Sequence, residues 1–173
     1  MDYDKYANQY EISKEEISNS IEQEYVRPIE GVYLLKFSAG GLSEKDFKDD
    51  NTGEITSKIS AKMIYIIEGS EEELGFIGLT MNHFHNFENH PNYTTNQKIG
   101  NLMKHLGAIN YVLADQYHQK IKEAETSGEV FKVIDECLTA FTDAANTFKC
   151  NISYRKGKDG RTYTDYKVVI DEE

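Results

Sequence analysis

Tryptophan is absent from this 173-residue chain, and cysteine and proline occur only twice each. Without tryptophan, the aromatic content rests on the 12 tyrosines and 8 phenylalanines. Cys137 and Cys150 are too few for a disulfide scaffold, and a chain of this length buries a core without one. Two buried thiols are expected rather than a bridge. Long hydrophobic runs are missing too. The longest, Met63 to Ile67, falls far short of the roughly 20 apolar residues that cross a bilayer. No charged-then-apolar start marks a secretory signal, so a cytoplasmic setting and no membrane partner are expected.

Positive charge is scarce: 19 Lys and Arg stand against 30 Asp and Glu, a formal net charge of −11. That total argues against indiscriminate attraction to polyanions. Nucleic-acid binding, however, needs a basic footprint and not a basic sum. The placement of the 19 cations therefore matters more than their number.

Signatures of catalysis are also lacking. Gly69 to Gly78 has no Lys-Ser or Lys-Thr to close a phosphate loop, and no serine sits in a nucleophile elbow. Asp46, Asp49, Asp50 and Glu54 would serve a metal-dependent nuclease only if assembled across strands; a solvated acidic loop is the alternative. His83, His85 and His90 crowd one segment beside Glu88, but no Cys pair or zinc spacing accompanies them. The chain is expected to be no enzyme and to hold no metal or cofactor.

What is present is a regular order of elements. Met1 to Tyr10 is a polar, tyrosine-rich arm. Ser13 is a helix N-cap with Glu16 to complete a capping box, and the spacing of Ile17, Ile21 and Tyr25 predicts a helix over 13–25 that Pro28 ends. Gly31 to Phe37 alternates as a first strand, Ala39 to Glu54 reads as a mobile loop, and Ser57 to Ile67 is the second strand. Gly69 to Glu73 is an acidic turn. Leu74 to Met81 is a third strand softened by Gly75 and Gly78, and His83 to Tyr93 is irregular. Three helical stretches follow: Asn96 to Leu106 with Gly107 at its C-cap, Val112 to Glu125, and a stripe from Val130 to Phe141. Thr147 to Arg155 and Arg161 to Ile170 close the chain as a hairpin around Asp159-Gly160.

That order predicts a β-rich α+β protein: a five-stranded OB-type barrel, a helical insert at about 96–146 between strands 3 and 4, and a short N-terminal helix. The arm and helix occupy residues 1–28 and the barrel domain 29–173.

The closing hairpin is locally basic. Lys149, Arg155, Lys156, Lys158, Arg161 and Lys167 are opposed only by Asp159 and Asp165. Strand alternation puts Lys149, Asn151, Ser153 and Arg155 on one face, where Arg161, Tyr163 and Lys167 can join them. Lys58 and Lys62 extend the row from the second strand. Cations follow phosphates and a ring stacks on any base, so this face suits a single strand. It is equally what the solvated side of an ordinary hairpin displays.

The chain resembles phage-encoded single-stranded DNA-binding proteins with an OB fold, over about residues 29–171. The likeness lies in Glu30 to Phe37 opening the barrel, in Asn96 to Gly107 as a helix ending in glycine, and in Thr147 to Val169 as the closing hairpin. It implies non-specific coating and protection of single-stranded DNA in phage replication or recombination, without nucleotide hydrolysis. It places the groove at Lys149, Arg155, Arg161 and Tyr163. Replication or recombination proteins become expected partners, with self-association left open. Only Asp171, Glu172 and Glu173 stand where such proteins carry a long acidic tail. The competing reading is an acidic interaction protein or DNA mimic that binds no nucleic acid.

Overall fold

The computed structural model describes residues 1–7, 9–24, 27–72 and 74–170, without the side chains of residues 20–24. The sequence readings that fall on Tyr25, Glu73 and the acidic 171–173 end lie outside the described residues. The architecture is α+β. Five antiparallel strands, β1 (Gly31–Lys48), β2 (Ile55–Ser70), β3 (Thr80–Asn86), β4 (Thr147–Lys156) and β5 (Thr162–Val168), run in the order β3-β2-β1-β4-β5. Helices α1 (Asp4–Ala7) and α2 (Lys14–Glu24) precede the sheet. Helices α3 (Thr95–Ile109), α4 (Tyr111–Glu123) and α5 (Ser127–Ala144) connect β3 to β4.

Alternation along the strands decides which side is core. Tyr33, Leu35 and Phe37 of β1, Ala61, Met63, Tyr65 and Ile67 of β2, and Phe148, Cys150 and Ile152 of β4 are all buried. Helix α5 covers this side with Ile134, Cys137, Leu138 and Phe141, the helical stripe the sequence predicts. Cys137 and Cys150 are unbridged, and burial pushes both thiols up to about 12. Each insert helix starts on a side-chain cap: Thr94 with Gln97 in a full capping box, then Asn110, then Thr126.

Four expectations need correction. Ala39–Glu54 is no mobile loop: β1 continues to Lys48 and pairs with Ile55–Ser60 as a long hairpin arm, turning only at Asp49–Gly53. Its alternation is hidden in the sequence because neither face of the arm is consistently apolar. The third strand begins at Thr80, because Gly75 and Gly78 at φ 85° and 87° turn the chain between Leu74 and Leu79. His83 to Asn86, read as irregular, is the body of β3. Helix α3 runs through Gly107 and ends two residues later, because Asn110 caps it and also starts α4.

The sheet is not a closed barrel. Among the described residues no ladder joins β3 to β5; side chains fill that seam instead. The Tyr166 hydroxyl donates to the Asn82 carbonyl at 2.8 Å, and the His83 ring stacks on Tyr166 with centroids 4.5 Å apart. Beneath them Tyr65 reaches His83 Nδ1 at 2.9 Å and His105 Nε2 at 2.8 Å. Its hydroxyl carries one proton, so at most one of these imidazoles accepts it, and an imidazole that does not must donate its own N–H to the oxygen. Burial drives His83 down to about 3 and His105 to about 4, so both are neutral at pH 7. Tyr65→Phe leaves two enclosed ring nitrogens without this partner. The expected loss is about 1–3 kcal/mol of unfolding free energy, read as a lower urea midpoint at unchanged m-value.

Candidate nucleic-acid interface

The pairing registers carry the outer face across the sheet. Arg155 pairs with Tyr163, Ser153 with Asp165 and Asn151 with Lys167, so the expected face of the closing hairpin forms. Three of its six cations, however, face carboxylates from within the chain. Arg155 Nε lies 3.0 Å from Asp165, Arg161 Nε 3.9 Å from Asp159, and Lys149 Nζ 3.6 Å from Glu71. Exposed pairs of this kind are worth about 0–1 kcal/mol each and yield readily to a competing phosphate. Lys156, Lys158 and Lys167 are exposed on the same hairpin.

Tyr163 is fastened into the turn. Its hydroxyl donates to Asp159 Oδ2 at 2.6 Å, and the Arg155 guanidinium lies 5.1 Å from its ring centre. That hydrogen bond holds the Asp159 carboxyl below its ordinary range and raises the phenol. A Cβ at Gly157 would lie 2.4 Å from the ring, so only glycine lets the tyrosine sit there. With one face under Arg155, the ring is 39% exposed and meets a ligand chiefly through its outer side.

Lys58 and Lys62 do not continue this row. Lys62 pairs with Gly41 of β1, whereas Lys149 pairs with Leu34. Seven positions along β1 separate them, roughly 20 Å of strand. The two lysines belong to a second patch on the outer face of β1, β2 and β3.

Two phenylalanines complete that patch. Phe47 pairs with Thr56, Lys45 with Lys58, and Phe84 with Lys62, so these six outward side chains share one surface. Phe84 is 62% exposed with Lys62 Nζ 5.6 Å from its ring centre. Phe47 has Lys58 at 4.7 Å and Lys45 at 5.4 Å. Lys58 also reaches Glu88 at 2.7 Å, again between exposed groups. Rings alternating with ammonium groups are what an unpaired strand needs: faces for bases and charges for phosphates. Sequence reading missed Phe47 and Phe84 because it placed both outside strands. The signal lay in Asn82-His83-Phe84-His85-Asn86, where histidines alternate with Asn, Phe and Asn.

The histidine cluster disperses. His83 faces inward to Tyr65, His85 Nε2 meets the Lys98 carbonyl at 2.6 Å, and His90 Nδ1 accepts the Asn92 N–H. Among the described residues no group of three His, Cys, Asp or Glu side chains is arranged to hold a metal ion. Two carboxylates of the β1–β2 arm are engaged locally: Asp46 accepts the Ser57 hydroxyl, and Asp49 accepts the N–H of Asn51 and Thr52. No helix among the described residues is long and apolar enough to cross a membrane.

Set against known protein families, curated proteins and solved structures, the chain finds a match in none of the three.

Proposed function

We propose that this protein binds single-stranded DNA without sequence specificity, on an OB-type sheet left open between β3 and β5, and coats strands during phage replication or recombination. The supporting observation is Phe84, a largely exposed ring in the middle of β3 with Lys62 beside it and Phe47, Lys45 and Lys58 along the same face. OB folds are partly open Greek-key barrels that take oligonucleotides on strands 2 and 3 and on the loops between strands 1 and 2 and strands 4 and 5. In this chain those places are the Phe84–Lys62 face, the Phe47 arm and the Gly157–Arg161 turn, to which Tyr163 of β5 is hydrogen-bonded through Asp159. The two cationic patches then lie on one path and not one row. The protein acts by stacking and charge and transforms nothing.

Anisotropy of a labelled oligothymidylate across a salt series tests this. Phe84→Ala should weaken binding by about 1–3 kcal/mol with the salt slope nearly unchanged, because stacking releases no ion. Lys62→Ala should flatten the log–log slope by about 0.7, one single-strand phosphate's share. Equal affinity for a duplex of the same length would sink the proposal.

A second reading, an acidic interaction protein that binds no nucleic acid, draws on the carboxylates that answer Arg155, Arg161 and Lys149. Absence of any oligonucleotide binding at low salt would select it.

A further inference from the structure

The outer face of the sheet carries an aliphatic strip that neither the core nor the two cationic patches account for. Alternation along β1 and β2 buries Tyr33, Leu35, Tyr65 and Ile67, so Val32, Leu34, Ile64 and Ile66 point the other way. None of these four belongs to the core cluster or packs against it. Leu34 is 37% exposed, and the other three are half-buried. The strip joins the two patches. Ile64 lies two residues from Lys62, the partner of Phe84, and Leu34 pairs with Lys149 of the closing hairpin. Lys36 stands between them, paired with Ile66 on β2 and with Thr147 on β4. Lysines thus stand at both ends and in the middle of an apolar floor. That is the complement of an unpaired strand, whose phosphates are charged and whose bases and sugars are not. Carboxylates enter at the Leu34 end, where Glu68 precedes Gly69 and Glu71 meets Lys149 at 3.6 Å.

The floor itself offers no hydrogen bond. Its side chains have neither donor nor acceptor, and the backbone beneath them is committed to the ladders with β1, β3 and β4. Thr80, Asn82 and Thr147 flank the floor and do not lie on it. RNA brings a 2′-hydroxyl to such a surface, and a hydroxyl that gives up water without a new partner costs free energy. Thymine brings a C5-methyl group, which gains by leaving water against an aliphatic side chain. Both differences favour DNA.

We propose that Leu34, Ile64 and Ile66 form the floor over which one strand passes between the two patches, and that this floor selects DNA over RNA. Its role rests on the single-strand reading above and adds the contact that tells the two polymers apart. Phe84 and the lysines cannot supply that contact, because a ring stacks on any base and an ammonium group meets any phosphate.

Anisotropy of the full chain with labelled oligothymidylate, oligodeoxyuridylate and oligouridylate of equal length, at one salt concentration, tests this. The parent should bind oligothymidylate about tenfold more tightly than oligouridylate. The deoxyuridylate arm separates the two sources of that preference. Affinity matching oligouridylate assigns it to the methyl groups, affinity matching oligothymidylate assigns it to the sugar, and a value between them to both. Ile64→Thr with Ile66→Thr keeps β-branched side chains at outward positions and adds hydroxyls. The fold should persist while the preference falls to about twofold or less. Leu34→Thr, at the most exposed position, should lower it in the same direction. Phe84→Ala should weaken both polymers alike and leave the preference unchanged. Melting curves check that each variant is folded at the assay temperature. A parent that binds none of the three oligonucleotides would overturn the single-strand reading itself. Equal binding of oligothymidylate and oligouridylate by the parent overturns the floor's role and leaves that reading standing. A preference that survives all three threonines overturns it too.

Discussion

Phe141→Ala is expected to cost about 3–5 kcal/mol, the usual range for emptying a packed phenylalanine site. Phe141 is fully buried on α5, with its ring 5.7 Å from that of Phe37 on the central strand β1. Phe37 in turn meets Tyr65 at 5.7 Å, so the truncation also removes the outer member of an aromatic row that ties helix to sheet. Neighbouring α5 residues cannot easily collapse into the space. Leu138 and Ile134 are already buried, and the Asp135 carboxylate accepts the Leu42 N–H at 2.9 Å, which fixes the helix against β1. For a domain with a typical total of about 5–15 kcal/mol, this is a large share. Thermal unfolding should shift down by on the order of 10 °C. Tyr111→Ala on the exposed rim of α4 is the comparison, with a change within about 0.5 kcal/mol expected. Equal melting temperatures for the Phe141→Ala protein and its parent would show that α5 does not close the core.

Mild acid should be the second strong perturbation. In the folded chain burial holds His83 near 3 and His105 near 4, whereas an unfolded imidazole titrates near 6.5. Between these values the unfolded state takes up protons that the folded state refuses. Unfolding free energy therefore rises with pH across that window. The contribution is complete above about pH 6.5, falls steadily below it, and stops falling only once the folded imidazoles themselves protonate near 3 to 4. From pH 7 to pH 5 the two histidines together should remove about 3–4 kcal/mol. His85 is shifted the same way by burial and adds to the slope. Relief of carboxylate repulsion in so acidic a chain works in the opposite direction, which is why the test must be differential. Urea titrations at both pH values, repeated on His83→Gln with His105→Gln, should show the pH-dependent loss shrinking by most of that amount. An unchanged loss in the double variant would remove the Tyr65 cluster from the account.

This cluster also shows why part of the site escaped the sequence. His83 and Phe84 are neighbours, yet one is sealed against Tyr65 while the other stands in solvent on the candidate binding face. Neither role is visible until β3 is known to pair with β2 in a register that sets Met63 beside His83 and Lys62 beside Phe84. A shift of one residue would have reversed them.

Local chemistry was sufficient for much of the rest. Period-two alternation in Tyr33-Leu35-Phe37, in Ile59 to Ile67 and in Phe148 to Tyr154 marked three strands and their inner faces, because every inward position is apolar while the outward ones mix Lys, Ser and Asn with apolar residues. Three- and four-residue spacing from Val130 to Phe141 marked the helix that covers them, and Asp159-Gly160 marked the closing turn. The arm from Ala39 to Glu54 carried no such contrast, so only its pairing with the following strand reveals it as β structure. The basic closing hairpin was legible as composition. Its charge balance was not, because Glu71, which answers Lys149, lies far away in the chain. Whether the strands close on themselves was likewise undecidable from the residues: hydrogen-bond ladders form between backbones, and the seam between β3 and β5 is filled by the rings of His83 and Tyr166, which only the folded chain brings together.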